Sequence, residues 1–253
     1  MKRAVFVFLI ILVFFGIIAY KINSNPNMII SHYFSLKSND TGVLVYKVNA
    51  FNLITVGEAE FWDAKIEDYN GKEVYRLRAS ARTGKFVSNF FKASAELDSY
   101  VDIKSLRPVL FKEKVNIQGK AEKNKEISYD QEKGVMALNG VERTILSNTQ
   151  DPLSIIYNIR EMDLEKIKEF EFSINTNQKN YIFKARVTPQ NINLNNRRLK
   201  IFVIDAEIMR RDNNPYHKTM MHMVFLKDKK NIPVYVRVFA SGGLIGLKLV
   251  DVK

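Results

Sequence analysis

From Gly42 to the carboxyl end, apolar and polar residues alternate, which is the period of a strand whose successive side chains point to opposite faces. The clearest example is Lys72–Thr83, KEVYRLRASART, with Tyr75, Leu77, Ala79 and Ala81 on one face and Arg76, Arg78 and Arg82 on the other. Asn70-Gly71 stands directly before it. That dipeptide is the strongest short hairpin signal, because both residues tolerate the positive φ of a type I′ turn. A two-residue turn fixes the register of the strand before it: Tyr69 opposite Lys72, Ile66 opposite Tyr75, Ala64 opposite Leu77 and Trp62 opposite Ala79. On the second face it sets Lys65 opposite Arg76, Asp63 opposite Arg78 and Ala59 opposite Arg82.

The same alternation predicts strands over residues 42–48, 51–66, 93–101, 109–118, 122–130 and 134–141 in the first half. In the second half it predicts strands over 169–175, 179–188, 199–209, 219–226, 233–239 and 244–250. Residues 175–180, 189–198 and 211–216 read as polar links, and Phe86 to Phe91 (FVSNFF) as apolar bulk that caps the sheet or contacts a ligand. One stretch breaks the pattern. Residues 149–163, TQDPLSIIYNIREMD, carry an N-cap candidate in Asp151, Pro152 at the first helical position, and Leu153, Ile156, Tyr157 and Arg160 at helical spacing. A lone helix with one apolar stripe must lie on an apolar surface, so the expected fold is mainly β: curved antiparallel sheet, a half-barrel or flattened barrel, in two sheet-forming halves with the helix packed inside or across.

The amino terminus reads differently. Residues 4–20 form a seventeen-residue run without a charge, preceded by Lys2 and Arg3 and followed by Lys21. At ~1.5 Å per residue the run just crosses a bilayer core, and the basic residues before it hold its start on the cytoplasmic side. A retained signal anchor and a cleaved signal peptide compete; the run is long for the latter and Ile17-Ile18-Ala19 is a poor cleavage site, which favours the anchor. The expected organisation is an anchor over 1–22, a connector over 23–41 and an extracytoplasmic domain over 42–253. That places the protein in a bacterial inner membrane with its bulk in the periplasm, or secreted if the run is cleaved.

The chain has 253 residues and formal charge +12, of which +9 remains beyond Lys21. Such a balance favours anionic partners, although export past a membrane argues against nucleic acid. Cysteine is absent, so disulfides, thiol catalysis, cysteine zinc sites and a lipidated terminal cysteine are excluded.

Several phrases together resemble an exported bacterial family known as a domain of unknown function, numbered three-one-zero-eight. They are Val56-Gly57-Glu58-Ala59, the run from Tyr75 to Thr83, Ser99-Tyr100-Val101-Asp102 before Leu106-Arg107-Pro108, Thr149-Gln150-Asp151-Pro152-Leu153-Ser154, and Ile232-Pro233-Val234. The resemblance runs from about Val43 to the carboxyl end and implies a periplasm-facing or secreted β-rich domain, without catalytic residues to carry over. The chain departs from the family in its longer anchor run and its basic second half. By a looser analogy of fold, bacterial lipoprotein carriers close a curved sheet over a helix to hold acyl chains.

No constellation for catalysis emerges. There is no Gly-x-Ser-x-Gly elbow, and the carboxylate pairs Glu58/Glu60 and Asp63/Glu67 suit solvated strand faces. His217, Met220, Met221, His222 and Met223 offer soft-metal ligands in principle, but strand alternation divides them between faces, so packing is the expected role. The expected protein is therefore non-enzymatic, without cofactor or metal. It is an envelope module binding an apolar or amphiphilic ligand, lipid or lipoprotein, between sheet and helix, with Leu153, Ile156 and Tyr157 as the apolar wall. Arg76, Arg78 and Arg82 would meet an anionic headgroup, unless Asp63 and other acids pair with them. The alternative is a structural or scaffolding partner of an envelope complex with no ligand cavity, the partner itself being unspecified.

Overall fold

A computed structural model describes residues 42–51, 53–176, 178–194, 196–211, 219–227, 230–240 and 243–253. The expected anchor and connector lie outside these residues. No helix among the described residues is long and apolar enough to cross a membrane.

The elements in chain order are β1 (Val43–Ala50), β2 (Ile54–Tyr69), β3 (Lys72–Thr83), α1 (Lys85–Ser88), β4 (Ala93–Asp102), β5 (Pro108–Ile117), β6 (Lys123–Asp130), β7 (Val135–Leu138), β8 (Val141–Thr144) and β9 (Thr149–Gln150). They continue with α2 (Ser154–Glu161), β10 (Glu169–Thr176), β11 (Lys179–Leu194), β12 (Arg197–Arg210), β13 (Thr219–Leu226), β14 (Ile232–Ala240) and β15 (Gly243–Val252). All the strands join one sheet in the order β8-β7-β6-β5-β4-β3-β2-β1-β15-β14-β13-β12-β11-β10-β9. The expectation of two sheet-forming halves is corrected here: β1 pairs antiparallel with β15, and Val43 and Lys253 exchange backbone hydrogen bonds of 2.9 Å in both directions. The seam is a pairing between the two ends of the domain. The sheet is not closed, because β8 and β9 are not paired with each other; near that gap Asn180 Nδ2 donates to the Thr144 carbonyl at 3.1 Å.

Asn70 and Gly71 adopt φ of 54° and 75°, the two positive values a type I′ turn requires. The register agrees with expectation at Tyr69–Lys72, Ile66–Tyr75 and Lys65–Arg76 and then shifts by one at a bulge, so that Trp62 faces Arg78, Phe61 faces Ala79, and Glu58 faces Arg82. Asp63 and Ala64 together stand against Leu77, the two-against-one arrangement of a bulge. The predicted pairs Trp62–Ala79, Asp63–Arg78 and Ala59–Arg82 are therefore corrected, while Ala64 shares Leu77 with Asp63. Residues 134–141 also divide, into β7 and β8, with Asn139 and Gly140 both at positive φ between them. Of residues 189–198, 189–194 and 197–198 are strand rather than link, since β11 runs on to Leu194 opposite Arg197, with Pro189 opposite Phe202.

The helix is shorter than the sequence predicts, because residues 149–150 pair in parallel with Ser173 and Ile174 as β9. Asp151 still organises its start. Its Oδ1 accepts from the N–H groups of Leu153 (2.7 Å) and Ser154 (2.8 Å), while its own N–H donates to Ser154 Oγ at 2.9 Å. The buried faces of α2 divide between two parts of the core. Ile155 and Ile159 pack with Phe183, Phe202, Ile204, Met223 and Phe225, whereas Leu153 and Tyr157 pack with Leu77, Val101, Phe111, Ile127 and Met136. The helix thus touches both the strands before it and those after it, and it holds the curl of the sheet from one face.

Candidate functional site

The sheet has two ends. Val43, Lys253 and the Asn70–Gly71 turn mark the terminal end. At the far end lie the turn between β1 and β2, the link from β3 to β4 that contains α1, and the junction of β14 with β15.

Of the residues the sequence proposes as a site, the helical ones lie against the sheet and the arginines do not join them. Leu153 and Tyr157 are buried, and Ile156 packs at the edge of the core formed with β10 to β13. The Tyr157 ring lies 5.6 Å from that of Tyr75, and burial pushes its hydroxyl up to about 12. Leu77 and Ala79 share the Tyr75 side of β3, so Arg76, Arg78 and Arg82 project from the opposite face. Each has a neighbour there. Arg76 Nε donates to Asp98 at 2.7 Å and its Nη1 to Glu67 at 3.2 Å; these bonds hold its guanidinium above its ordinary value. Arg82 pairs with Glu58 at 3.0 Å, and Arg78 lies over the Trp62 ring, 5.4 Å from its centroid.

A different cation sits beside the helix. The Arg160 side chain is 10% exposed and donates from Nη2 to Asp63 at 3.1 Å. The β2 bulge makes that contact, because the extra residue carries Asp63 off the regular register. Arg160 Nε is buried with no acceptor among the described residues. Tyr46 lies near enough to feel the charge; burial raises its hydroxyl and Arg160 draws it back in part. Behind the helix start, Asp151 is buried and also accepts from Ser99 Oγ at 2.5 Å. Burial raises its carboxyl and these hydrogen bonds oppose the rise.

A depression of about 450 Å³ lies on β4 to β6. Charges that pair with one another line it, including Lys112 with Glu126 at 3.0 Å and Lys125 with Glu113 at 3.4 Å. Among the described residues, no group of three or more His, Asp or Glu is placed to hold a metal. His222 bonds through Nδ1 to Asp205 at 2.8 Å, and Met223 is in the core; His217 lies outside the described residues.

The far end carries the feature that alternation did not reveal beyond Phe86 to Phe91. Phe86, Phe90, Leu53 and Ile54 are 71%, 77%, 76% and 51% exposed. Phe239 and Met220, paired across β14 and β13 at the same end, are also exposed. Because the strands run in the order β3-β2-β1-β15-β14-β13, this apolar rim follows neighbouring strands over an arc of about 25 Å at ~4.8 Å per strand. No signal for Leu53, Ile54, Met220 or Phe239 exists in the pattern, since alternation does not say which apolar residues find cover.

The profile of a family described as a protein of unknown function, DUF3108, matches residues 45–250. The chain belongs to the DUF3108 family. The matched stretch begins two residues inside β1 and ends two residues before the close of β15, so the family's unit is the whole sheet, seam included. Among proteins with curated descriptions none matches the sequence. Among solved structures, the chain is similar to a β-barrel-like protein of the domain of unknown function DUF1849 from Brucella abortus, with TM-score 0.54 and 11% identity over 83% of this chain and 95% of that one. At that identity the likeness concerns the fold: a family whose sheet curls in a barrel-like manner.

Proposed function

We propose that this member of the family is a non-enzymatic cell-envelope module that works as a structural or scaffolding partner, engaging the envelope through the apolar far end of its sheet. In this reading residues 4–20 are an uncleaved single-pass anchor in a bacterial inner membrane, and residues 42–253 stand in the periplasm as a flattened, incompletely closed barrel plugged by α2. The exposure of Phe86, Phe90, Leu53 and Ile54 at one end carries it, because large apolar side chains gathered in one exposed region mark interaction surfaces. The packing of Leu153, Ile155, Tyr157 and Ile159 supports a plug rather than the wall of a cavity.

A second reading keeps the amphiphile, a lipid or lipoprotein, between sheet and helix. The buried Arg160 Nε favours it, since a headgroup carboxylate or phosphate would supply the acceptor that this donor lacks among the described residues. In that case α2 moves aside to admit the acyl chain.

One labelling experiment tests the first reading. Phe90→Cys gives a unique thiol in a chain without cysteine, and a membrane-impermeant maleimide is applied to spheroplasts and to the detergent-purified protein. Blocked labelling in spheroplasts and rapid labelling after purification is the expected result, with Lys104→Cys, exposed in the β4–β5 turn at the terminal end, reactive in both. Equal reactivity of Phe90→Cys in both preparations overturns the reading. Native mass spectrometry of the purified chain decides the second, which requires a co-purifying amphiphile.

A further inference from the structure

The link from β3 to β4 holds its aromatic residues out on a firm base. Gly84 N–H donates to the Val56 carbonyl at 2.9 Å, and Ser88 Oγ donates to the Gly84 carbonyl at 2.7 Å. Thr83 Oγ1 accepts from the Ala93 N–H at 3.3 Å, and the Lys92 N–H donates to Gln118 Oε1 at 3.1 Å. Phe91 turns inward against Ala93, Val115 and Ile117. Phe86 and Phe90, one helical turn apart, turn outward with ring centroids 5.7 Å apart. A loop tied down at both ends displays two exposed aromatic rings at little further ordering cost.

The charges carried by the two loops that hold these apolar residues have one sign. From Thr83 to Ala95 the chain carries Lys85 and Lys92, both exposed, and no acid. From Val48 to Gly57, which brings Leu53 and Ile54 to the same end, it carries no charge at all. Lys120 adds another exposed cation in the β5–β6 turn, where Glu122 is paired with Lys114 at 3.2 Å and the Gln118 N–H donates to the Lys92 carbonyl at 2.8 Å. Aromatic rings with lysines beside them, and with the nearest carboxylates, Glu58 and Glu122, already paired with Arg82 and Lys114, are what the interface of an anionic bilayer accepts, with the rings at the acyl boundary and the ammonium groups among the phosphates.

We propose that this end is a lipid-docking surface: Phe86, Phe90, Leu53 and Ile54 enter the interfacial layer of an anionic bilayer while Lys85 and Lys92 meet its phosphate groups. The proposal rests on the reading that the far end is covered in the envelope, and it names the cover. Reach permits it. The nineteen residues 23–41 extend to at most ~65 Å, and β2, with 16 residues, measures about 53 Å. A domain on that tether can lay its far end on the membrane that holds its anchor.

The test uses the full chain in liposomes of phosphatidylethanolamine and phosphatidylglycerol, with an environment-sensitive fluorophore on Phe90→Cys or, as control, on Lys104→Cys. Doxyl-labelled lipid is expected to quench the label at position 90 and not that at 104, and iodide to quench in the reverse order. Removing phosphatidylglycerol, or introducing Lys85→Glu with Lys92→Glu, is expected to abolish the lipid quenching. Lipid quenching that survives both changes overturns the role given to the lysines. A label at 90 shielded from iodide yet untouched by doxyl lipid shows that protein covers this end; the lipid assignment then falls and the covered-end reading stands. Free access of iodide to position 90 overturns the lipid assignment, while the covered-end reading is decided separately by the labelling of Phe90→Cys in spheroplasts.

Discussion

Replacing Asp151 by alanine should destabilise the protein more than any surface change, because three buried donors lose one acceptor. Ser99 Oγ and the N–H groups of Leu153 and Ser154 all end on its carboxylate, and Asp151, Ser99 and Ser154 are buried. A buried donor left unsatisfied costs about 1–3 kcal/mol. Removing a desolvated carboxylate offsets part of that sum, so the net loss for Asp151→Ala is about 3 kcal/mol near neutral pH. Asp151→Asn keeps an oxygen for the two backbone groups, and its cost is smaller. It also removes a pH term whose sign is fixed. Burial raises the folded-state carboxyl above its ordinary 3.8, so the folded state binds more protons between those two values. Stability from this group therefore rises as pH falls through the raised value and levels off below 3.8. Depressed carboxyls such as Asp102 and Asp130 act in the opposite sense, so the informative quantity is the difference between the native chain and Asp151→Asn. Urea unfolding of the detergent-solubilised full chain, followed by the fluorescence of its single tryptophan, Trp62, gives that difference at several pH values. A difference that stays flat or shrinks on acidification, or an Asp151→Ala chain within ~0.5 kcal/mol of the native one, refutes the account of Asp151 as the buried start of the helix.

Two glycines separate shortage of space from backbone strain. At Gly57 a Cβ would meet the Arg82 carbonyl oxygen at 2.4 Å, whereas Gly71 has open space and φ of +75°; Gly71→Ala should cost about 1–2 kcal/mol through its dihedral, and Gly57→Ala more, with weakened amide protection along β2 and β3 measurable by hydrogen exchange. Equal effects would discount the steric argument. Glu165 accepts from Lys200 at 2.8 Å and pairs with Lys227, which hold its carboxyl down to about 2. A carbon-detected titration should find that midpoint and see it return toward the ordinary 4.5 in Lys200→Ala with Lys227→Ala; an unmoved midpoint excludes the lysines as its cause.

Much of the fold was legible because alternation and turn chemistry are local. Lys72–Thr83 and Thr219–Leu226 form strands over the residues that the pattern marks, and Asn70-Gly71 makes its turn. The register then failed at Asp63 and Ala64, since a bulge built from ordinary residues leaves no trace in composition. Asn191 and Asn193, polar and close to Pro189, read as a link but lie within β11, where long partner strands impose pairing that propensity does not. The β1–β15 seam joins residues some two hundred positions apart and has no local signal at all.

For the site, the sequence identified apolar residues but could not say which of them the fold would cover. Leu153 and Tyr157 were singled out as a wall that a ligand would touch, yet the curl of one continuous sheet sets α2 against cores from both directions and buries them. Phe86 and Phe90 have the same apolar character and stay exposed, because α1 lies beyond the last pair of β2 and β3, where no strand remains to pack against them. The three arginines of β3 lie on the face away from the helix and among acids or Trp62, while Arg160, a residue the helical pattern used only to mark a carboxyl end, became the buried cation beside the sheet. Burial is a property of the sheet's topology rather than of the residue. The seam that no local pattern encodes therefore decides which apolar groups form the plug and which remain for the envelope.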